Sequence, residues 1–424
     1  MSAAAEPSPV RSPRVWLFAI GILVGLMAEQ LVLFAVPLLI FQDTGKVSML
    51  GLAYALEWVP YLAAYPIGGV LADRDGGPRL FRLANSGRAA VLGSSVVLCL
   101  LQPGWSVPVL MVNGALLTTL VAPVHMAIEK VVPQLASGER LARMQATVQN
   151  VELLSLALGP GLAMAAVAVV GKLWLLGLAA GMFAVAALCW LALPKSASAA
   201  PVGGDVRAAV AELKLGWTLL VGNRPVVLLA AVNFSMNLAL AATLGANAAV
   251  VTGVFHQSST AFASLNVFAG LAGLVNLAVM PLLLKRWSPR AIGVTGFVTV
   301  CASLLLLGLA RSYPVYVVWF VAVEIGVAYY NTYNRTQRVQ VIPGEHLGKV
   351  MGPFFLINVL AFPIGGVLIS TVGAWAGPQR LVVGLAVLLA AVGAVLVPLT
   401  TRSLQRSIAL RDAAPAPTRV EAGT

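Results

Sequence analysis

Four carboxylates interrupt long apolar stretches of this chain: Glu29, Glu57, Glu152 and Glu324. A charged side chain at the centre of a bilayer costs about 2.5 to 3.5 kcal/mol on insertion scales, so such a residue faces a protein interior and marks an ion or substrate path. Protonation removes that cost, and a glutamate whose surroundings alternate between wet and dry can take up and release a proton. All four are proton-coupling candidates. Glu29 is the first choice, because it stands beside Gln30, one turn from Gly25, in the middle of its apolar run. The competing role for Glu29 is a permanently neutral hydrogen-bond donor to another helix. Helical spacing gives these acids polar company: Gln145, Gln149 and Glu152 share a face, as do Glu324, Asn331 and Arg335. Tyr54, Trp58, Tyr61 and Tyr65 form a stripe at helical steps beside Glu57. Phenols in mid-membrane need partners that lipid cannot supply. The stripe, with Gln30, Gln149 and Asn331, is therefore a candidate substrate-binding wall, with packing or lipid contact as the alternative. For Asn233, Asn237, Asn266, Asn276 and Asn358, cavity lining and interhelical hydrogen bonding both stay open.

The elements that must hold these residues are membrane helices. The chain is 59% hydrophobic and only 10% charged, against about 25% charged in soluble domains. Runs of about 20 apolar residues cross roughly 30 Å of hydrocarbon. Twelve such runs can be counted, at 15–41, 48–72, 81–101, 105–128, 144–170, 173–193, 225–253, 259–284, 290–310, 313–333, 350–372 and 380–400. An even number puts both termini on one side. Of 27 Lys and Arg residues, all but Lys46, Lys172, Arg311 and Arg380 then fall on the side of the termini, which the positive-inside rule makes the cytoplasm. At 1.5 Å per residue, Glu29, Glu152 and Glu324 lie roughly 13 to 23 Å from the cytoplasmic ends of their spans, near the midplane.

Residues 1–14 form a cytoplasmic tail, and the run from Val15 is too long for a signal-peptide core. The longest polar stretch, 194–224, divides a bundle at 15–193 from a second at 225–400, and 401–424 reads as a disordered cytoplasmic tail. The halves repeat in detail. At an offset of 206 residues, Glu139, Leu141, Arg143 and Gly159 fall on Glu345, Leu347, Lys349 and Gly365. Such a repeat points to two pseudo-symmetric six-helix bundles with a site between them at mid-membrane.

Several function classes drop out. The net charge of +12 sits in short clusters between spans, not on one solvated face, which argues against nucleic acid. Thr44-Gly45-Lys46-Val47 lacks the upstream glycine and following hydroxyl of a phosphate-binding loop. There is no Gly-x-Ser-x-Gly or His-Glu-x-x-His, so no hydrolase and no enzyme is expected. Cys99, Cys189 and Cys301 have neither disulfide nor metal-ligand spacing, and no cofactor or metal is expected.

Between the second and third runs stands Gly69-Val-Leu-Ala-Asp73-Arg74-Asp-Gly76-Gly77-Pro78-Arg79, expected to be a tight cytoplasmic loop in which Asp73 caps the following helix. Gly-x-x-x-Asp-Arg-x-Gly at this place resembles the loop signature of the major facilitator superfamily, although Gly77 and Pro78 replace its usual basic residues. Gly159-Pro160-Gly161 resembles the fifth-span signature of proton-driven exporters in that superfamily. With Pro133-Gln-Leu...Glu139-Arg-Leu and Arg335-Thr-Gln337...Ile342-Pro343, the chain is similar to the branch of the enterobactin exporter and macrolide efflux proteins. The resemblance implies an all-α membrane protein of twelve helices in the major facilitator fold, in a bacterial inner membrane. It implies a monomeric secondary transporter that exchanges protons for a small amphipathic molecule. A siderophore or other metal chelator comes first, then a lipophilic drug or macrolide, then a lysophospholipid. Glu29 aligns with an acidic position common in the family. A latch is expected from Gly69, Asp73, Arg74 and Gly76 against Lys349, where a cation and helix-end amides both favour a carboxylate. A non-transporting receptor or scaffold is the reading from another class.

Overall fold

The computed structural model describes residues 13–75, 77–135, 139–193, 206–342 and 347–412, and every long element among them is helical. In lipid every backbone polar group must be satisfied within its own segment, which is why apolar runs of this length become helices. The first half contains α1 (Pro13–Thr44), α2 (Val47–Asp75), α3 (Pro78–Leu101), α4 (Ser106–Leu135), α5 (Glu139–Val170) and α6 (Lys172–Cys189). A further helix, α7 (Val206–Gly222), lies within the expected linker. The second half contains α8 (Arg224–Ala248), extended by a π-helical turn at Ala249–Val254, then α9 (Ser259–Arg286), α10 (Pro289–Gly308) and α11 (Tyr313–Val341). Its eleventh span is broken into α12 (Leu347–Val359), α13 (Ala361–Leu368), a π-helical turn and α14 (Ala374–Ala376). Pro363 explains the break, since it has no N–H to offer the carbonyl of Val359. The last helix is α15 (Pro378–Asp412).

Among the described residues ten spans are long and apolar enough to cross a membrane, and α2 and α5, which complete the first bundle, are 29 and 32 residues long. Large apolar side chains point outward from them, Trp375 at 88% exposure and Val169 at 85% among them, as a lipid-facing surface requires. Within the first half, α1 packs on α5 and α6, α3 on α4 and α6, and α2 on α4; within the second, α10 packs on α11 and α15, and α8 on α13 and α15. The halves meet where α2 crosses α13 and its π-helical turn, and where α5 lies along α9.

Two expectations change here. The loop at 69–79 is helix through Asp75, and the chain turns at Gly77, whose φ of 101° suits glycine. Asp73 therefore lies inside α2, and α3 begins on Gly77 and Pro78 with no side-chain cap. The region after 400 is not a free tail over its first twelve residues: α15 continues to Asp412, with Leu404 and Thr401 buried against the bundle.

Candidate functional site

At mid-membrane between the halves lies a cavity of about 320 Å³. From the first half it takes Gln30, Phe34, Tyr54, Glu57 and Trp58, and from the second Asn247, Phe262, Asn266, Phe320, Glu324 and Phe362. Glu57 stands ten residues into α2 and Glu324 eleven into α11, so both lie roughly 15 to 17 Å from the ends of those helices that face away from the termini. Among the described residues neither carboxyl has a hydrogen-bond or ion-pair partner. The backbone under Glu57 is fixed, because Thr118 Oγ1 donates to its carbonyl at 2.5 Å. Gly159 of α5 packs so closely on Gln30 that a Cβ there would strike the Gln30 side chain.

The cavity is sealed on the side away from the termini. Gly51 of α2 lies against the backbone of Gly366 and Ser370, and Gly366 against that of Ala55, so neither glycine has room for a Cβ. Phe41 packs on Gly253, Gln42 Nε2 donates to Ser259 Oγ at 3.5 Å, and Phe34 stacks on Phe262 with ring centres 5.2 Å apart. At the cavity itself Trp58 stacks on Phe362 at 4.1 Å.

Glu29, the first-choice coupling residue, is placed elsewhere. Its Oε2 accepts from Arg88 Nη2 at 2.8 Å, and Arg88 is 1% exposed with its guanidinium 4.8 Å from the centre of the Phe183 ring. The charge count assigned Arg88 to the cytoplasmic loop, but ten residues of α3 precede it, about 15 Å of helix. Arg338, in the last turn of α11, is also buried, with its guanidinium 4.5 Å from the centre of the Phe354 ring. Arg88 was the functional-looking residue missed from sequence, and its signal was distance from Pro78, the first residue the turn allows into α3.

Asn233 and Asn237 do not line the cavity. Asn334 Nδ2 donates to Asn233 Oδ1 at 2.7 Å, Asn233 Nδ2 to Asn358 Oδ1 at 2.6 Å, and Asn237 Nδ2 to the same oxygen at 3.5 Å. These amides tie α8, α11 and α12 together within one bundle, because each finds an amide partner closer than any open space. Of the aromatic stripe, Tyr54 and Trp58 reach the cavity; Tyr61 meets the Trp58 ring edge at 5.3 Å and is not part of the lining. Glu152 is half-buried on α5 and Asn331 half-buried on α11, and neither lines the cavity. Gly76 and the side chains of Tyr65, Asp73, Arg74 and Gln149 lie outside the described residues, while Gly69 is helical and Lys349 is exposed at the start of α12.

A family model described as Major Facilitator Superfamily matches residues 18–366. No curated protein matches the chain in sequence. Among solved structures, the nucleoside transporter NupG superposes with a TM-score of 0.71 at 12% identity, over 95% of this chain and 100% of its own. A bacterial homologue of the human lysosomal transporter Spinster, in an inward-facing and unoccupied conformation, gives 0.70 at 12% identity over 97% and 100%. A D-xylose-proton symporter gives 0.69 at 12% identity over 89% and 96%.

Proposed function

Since the chain belongs to the major facilitator superfamily, and is thus a multi-pass transporter of small molecules, we propose that it exports an amphipathic organic cargo in exchange for protons. The observation that carries this reading is the mid-membrane cavity in which Glu57 and Glu324 stand without cationic partners. A carboxylate left charged in low dielectric is costly, and either a proton or a cationic cargo relieves the cost. The two compete for the same oxygens, so loading one releases the other. Gln30, Tyr54 and Trp58 provide hydrogen bonds and ring faces for the rest of the cargo. Alternating access by rocking of the two bundles carries the cavity from one side to the other.

Among the described residues no basic side chain lines the cavity. That favours a lipophilic, neutral or cationic compound over an anionic metal chelator or a lysophospholipid, and it moves the lipophilic drug ahead of the chelator that the sequence ranked first. The positive-inside asymmetry supports cytoplasmic termini; in that orientation the sealed side faces outward and the cavity loads from within. Glu57 and Glu324 replace Glu29 as the coupling pair. The latch of Asp73 and Arg74 near Lys349 remains part of the proposal for the opposite, cytoplasmic closure.

Reconstituted vesicles holding a pH-sensitive dye test this. A lipophilic monocation such as ethidium should drive a proton flux that is lost in Glu57→Gln/Glu324→Gln and kept, per folded molecule, in Glu29→Gln. A double variant that still exchanges protons for the cation would overturn the assignment.

A further inference from the structure

A second, larger cavity of about 790 Å³ opens at the end of the second bundle that carries the termini. It is built from the last turn of α7, the first residues of α8, the end of α11, the start of α12 and the extension of α15 beyond residue 400. Arg224, Arg402 and Arg406 line it together with the hydroxyl residues Thr218, Ser403 and Ser407. Among the described residues no carboxylate lines it. Part of its wall is apolar, through Leu219, Val350 and Leu399. Three guanidinium groups with hydroxyl donors suit a phosphate, since each arginine offers a planar fork that matches phosphate oxygens. The apolar residues beside them, on the linker helix α7 and on α12 and α15 of the second bundle, suit an acyl chain.

We propose that this cavity holds the headgroup of an anionic phospholipid, with the phosphate on Arg224, Arg402 and Arg406 and an acyl chain along Leu219 and Leu399. The placement gives the lipid a structural task. Among its described residues the extension of α15 is held to the bundle by the buried Thr401 and Leu404, and α7 is keyed to the start of α12 where Gly216 lies against the Lys349 carbonyl. A headgroup bridging Arg224 to Arg402 and Arg406 ties these ends into one unit and fixes the linker helix to the base of the broken eleventh span. This site is separate from the mid-membrane cavity and does not depend on the identity of the cargo.

The test uses the full-length protein in detergent, with thermal unfolding and native mass spectrometry read in parallel. Phosphatidylglycerol or cardiolipin should raise the unfolding temperature and remain bound, and phosphatidylcholine should not. Removing two of the three cations in Arg402→Gln/Arg406→Gln should weaken lipid retention by about 30-fold, at the usual attraction per basic residue near an anionic surface. Arg402→Lys/Arg406→Lys should keep most of the retention and shows that the site still folds. Arg286→Gln removes an exposed cation at the end of α9 and should leave retention unchanged. Equal loss in Arg286→Gln would reduce the effect to general surface charge and overturn the proposal. Protection by inorganic phosphate equal to that by the lipid would overturn the lipid assignment in favour of a soluble anion. Full retention in the double Gln variant would remove the site altogether.

Discussion

Glu29 and Glu57 are the same side chain on two consecutive helices, both well inside the membrane, yet their surroundings differ in one respect that decides their chemistry. Glu29 has Arg88 at 2.8 Å; Glu57 opens into a cavity with no cation among its described lining residues. A buried ion pair is locked, because either partner left alone would be an uncompensated charge in low dielectric. An unpaired acid in a cavity stays available to a proton or a ligand. The presence of a carboxylate in mid-membrane therefore says that something will neutralise it, and the neighbour determines whether that is the protein itself or what passes through it.

The sharpest break of this comparison is Arg88→Met. It strands Glu29 and should cost about 3 to 5 kcal/mol of stability, read as a large fall in unfolding temperature in detergent. Glu29→Gln added to Arg88→Met should recover part of the loss, since the stranded charge is gone. Glu57→Gln, by contrast, should leave the unfolding temperature within about 0.5 kcal/mol of wild type, as expected for a position outside any network. A small effect of Arg88→Met would mean that Glu29 is as free as Glu57 and would return it to the coupling candidates.

The second bundle meets the same problem with neutral groups. Asn358 Oδ1 accepts from both Asn233 and Asn237, and Asn358 Nδ2 donates to the Phe354 carbonyl at 2.6 Å. Asn358→Leu should cost about 1 to 3 kcal/mol, because the buried Asn233 amide loses its acceptor. Asn237→Leu should cost less, its bond being 3.5 Å long on a half-buried side chain. Comparable losses for the two would show that the amides act as one unit.

The twelve rods were legible because lipid enforces one period and one length, and their observed ends lie within a few residues of the expected ones at most boundaries. The π-helical turns and the break at Leu360 were not, since they depend on what packs beside them. Tyr54, Glu57 and Trp58 were picked out by spacing on a single helix. Their partners Asn247, Phe262, Phe320 and Phe362 come from four other helices, and no local pattern marks a residue whose role is to face a helix two hundred residues away. The same limit explains Arg88, whose neighbours in sequence are loop arginines and whose neighbour in space is Glu29. It also explains why the Asn233 and Asn237 amides, polar in a span, pointed equally to a cavity and to each other.

The smallest expected effect bears on where the cavity wall ends. Trp58 and Phe362 stack at 4.1 Å across the boundary between the bundles, with ring planes 23° apart, and such a pair is coupled by about 0.5 to 1.5 kcal/mol beyond its buried area. A double-mutant cycle of Trp58→Leu and Phe362→Leu should give a coupling in that range. Because the pair joins α2 to α13, it exists only while those helices are closed on each other, so losing it should also favour opening on that side. Apparent affinity for a lipophilic cation should weaken in Trp58→Leu, which lines the cavity, and stay at the wild-type value in Tyr61→Leu, which meets the edge of the Trp58 ring and is not part of the lining. Equal weakening in the two single variants would extend the wall along the whole stripe; no weakening in either would leave Glu57 and Glu324 to bind the cargo without an aromatic surface.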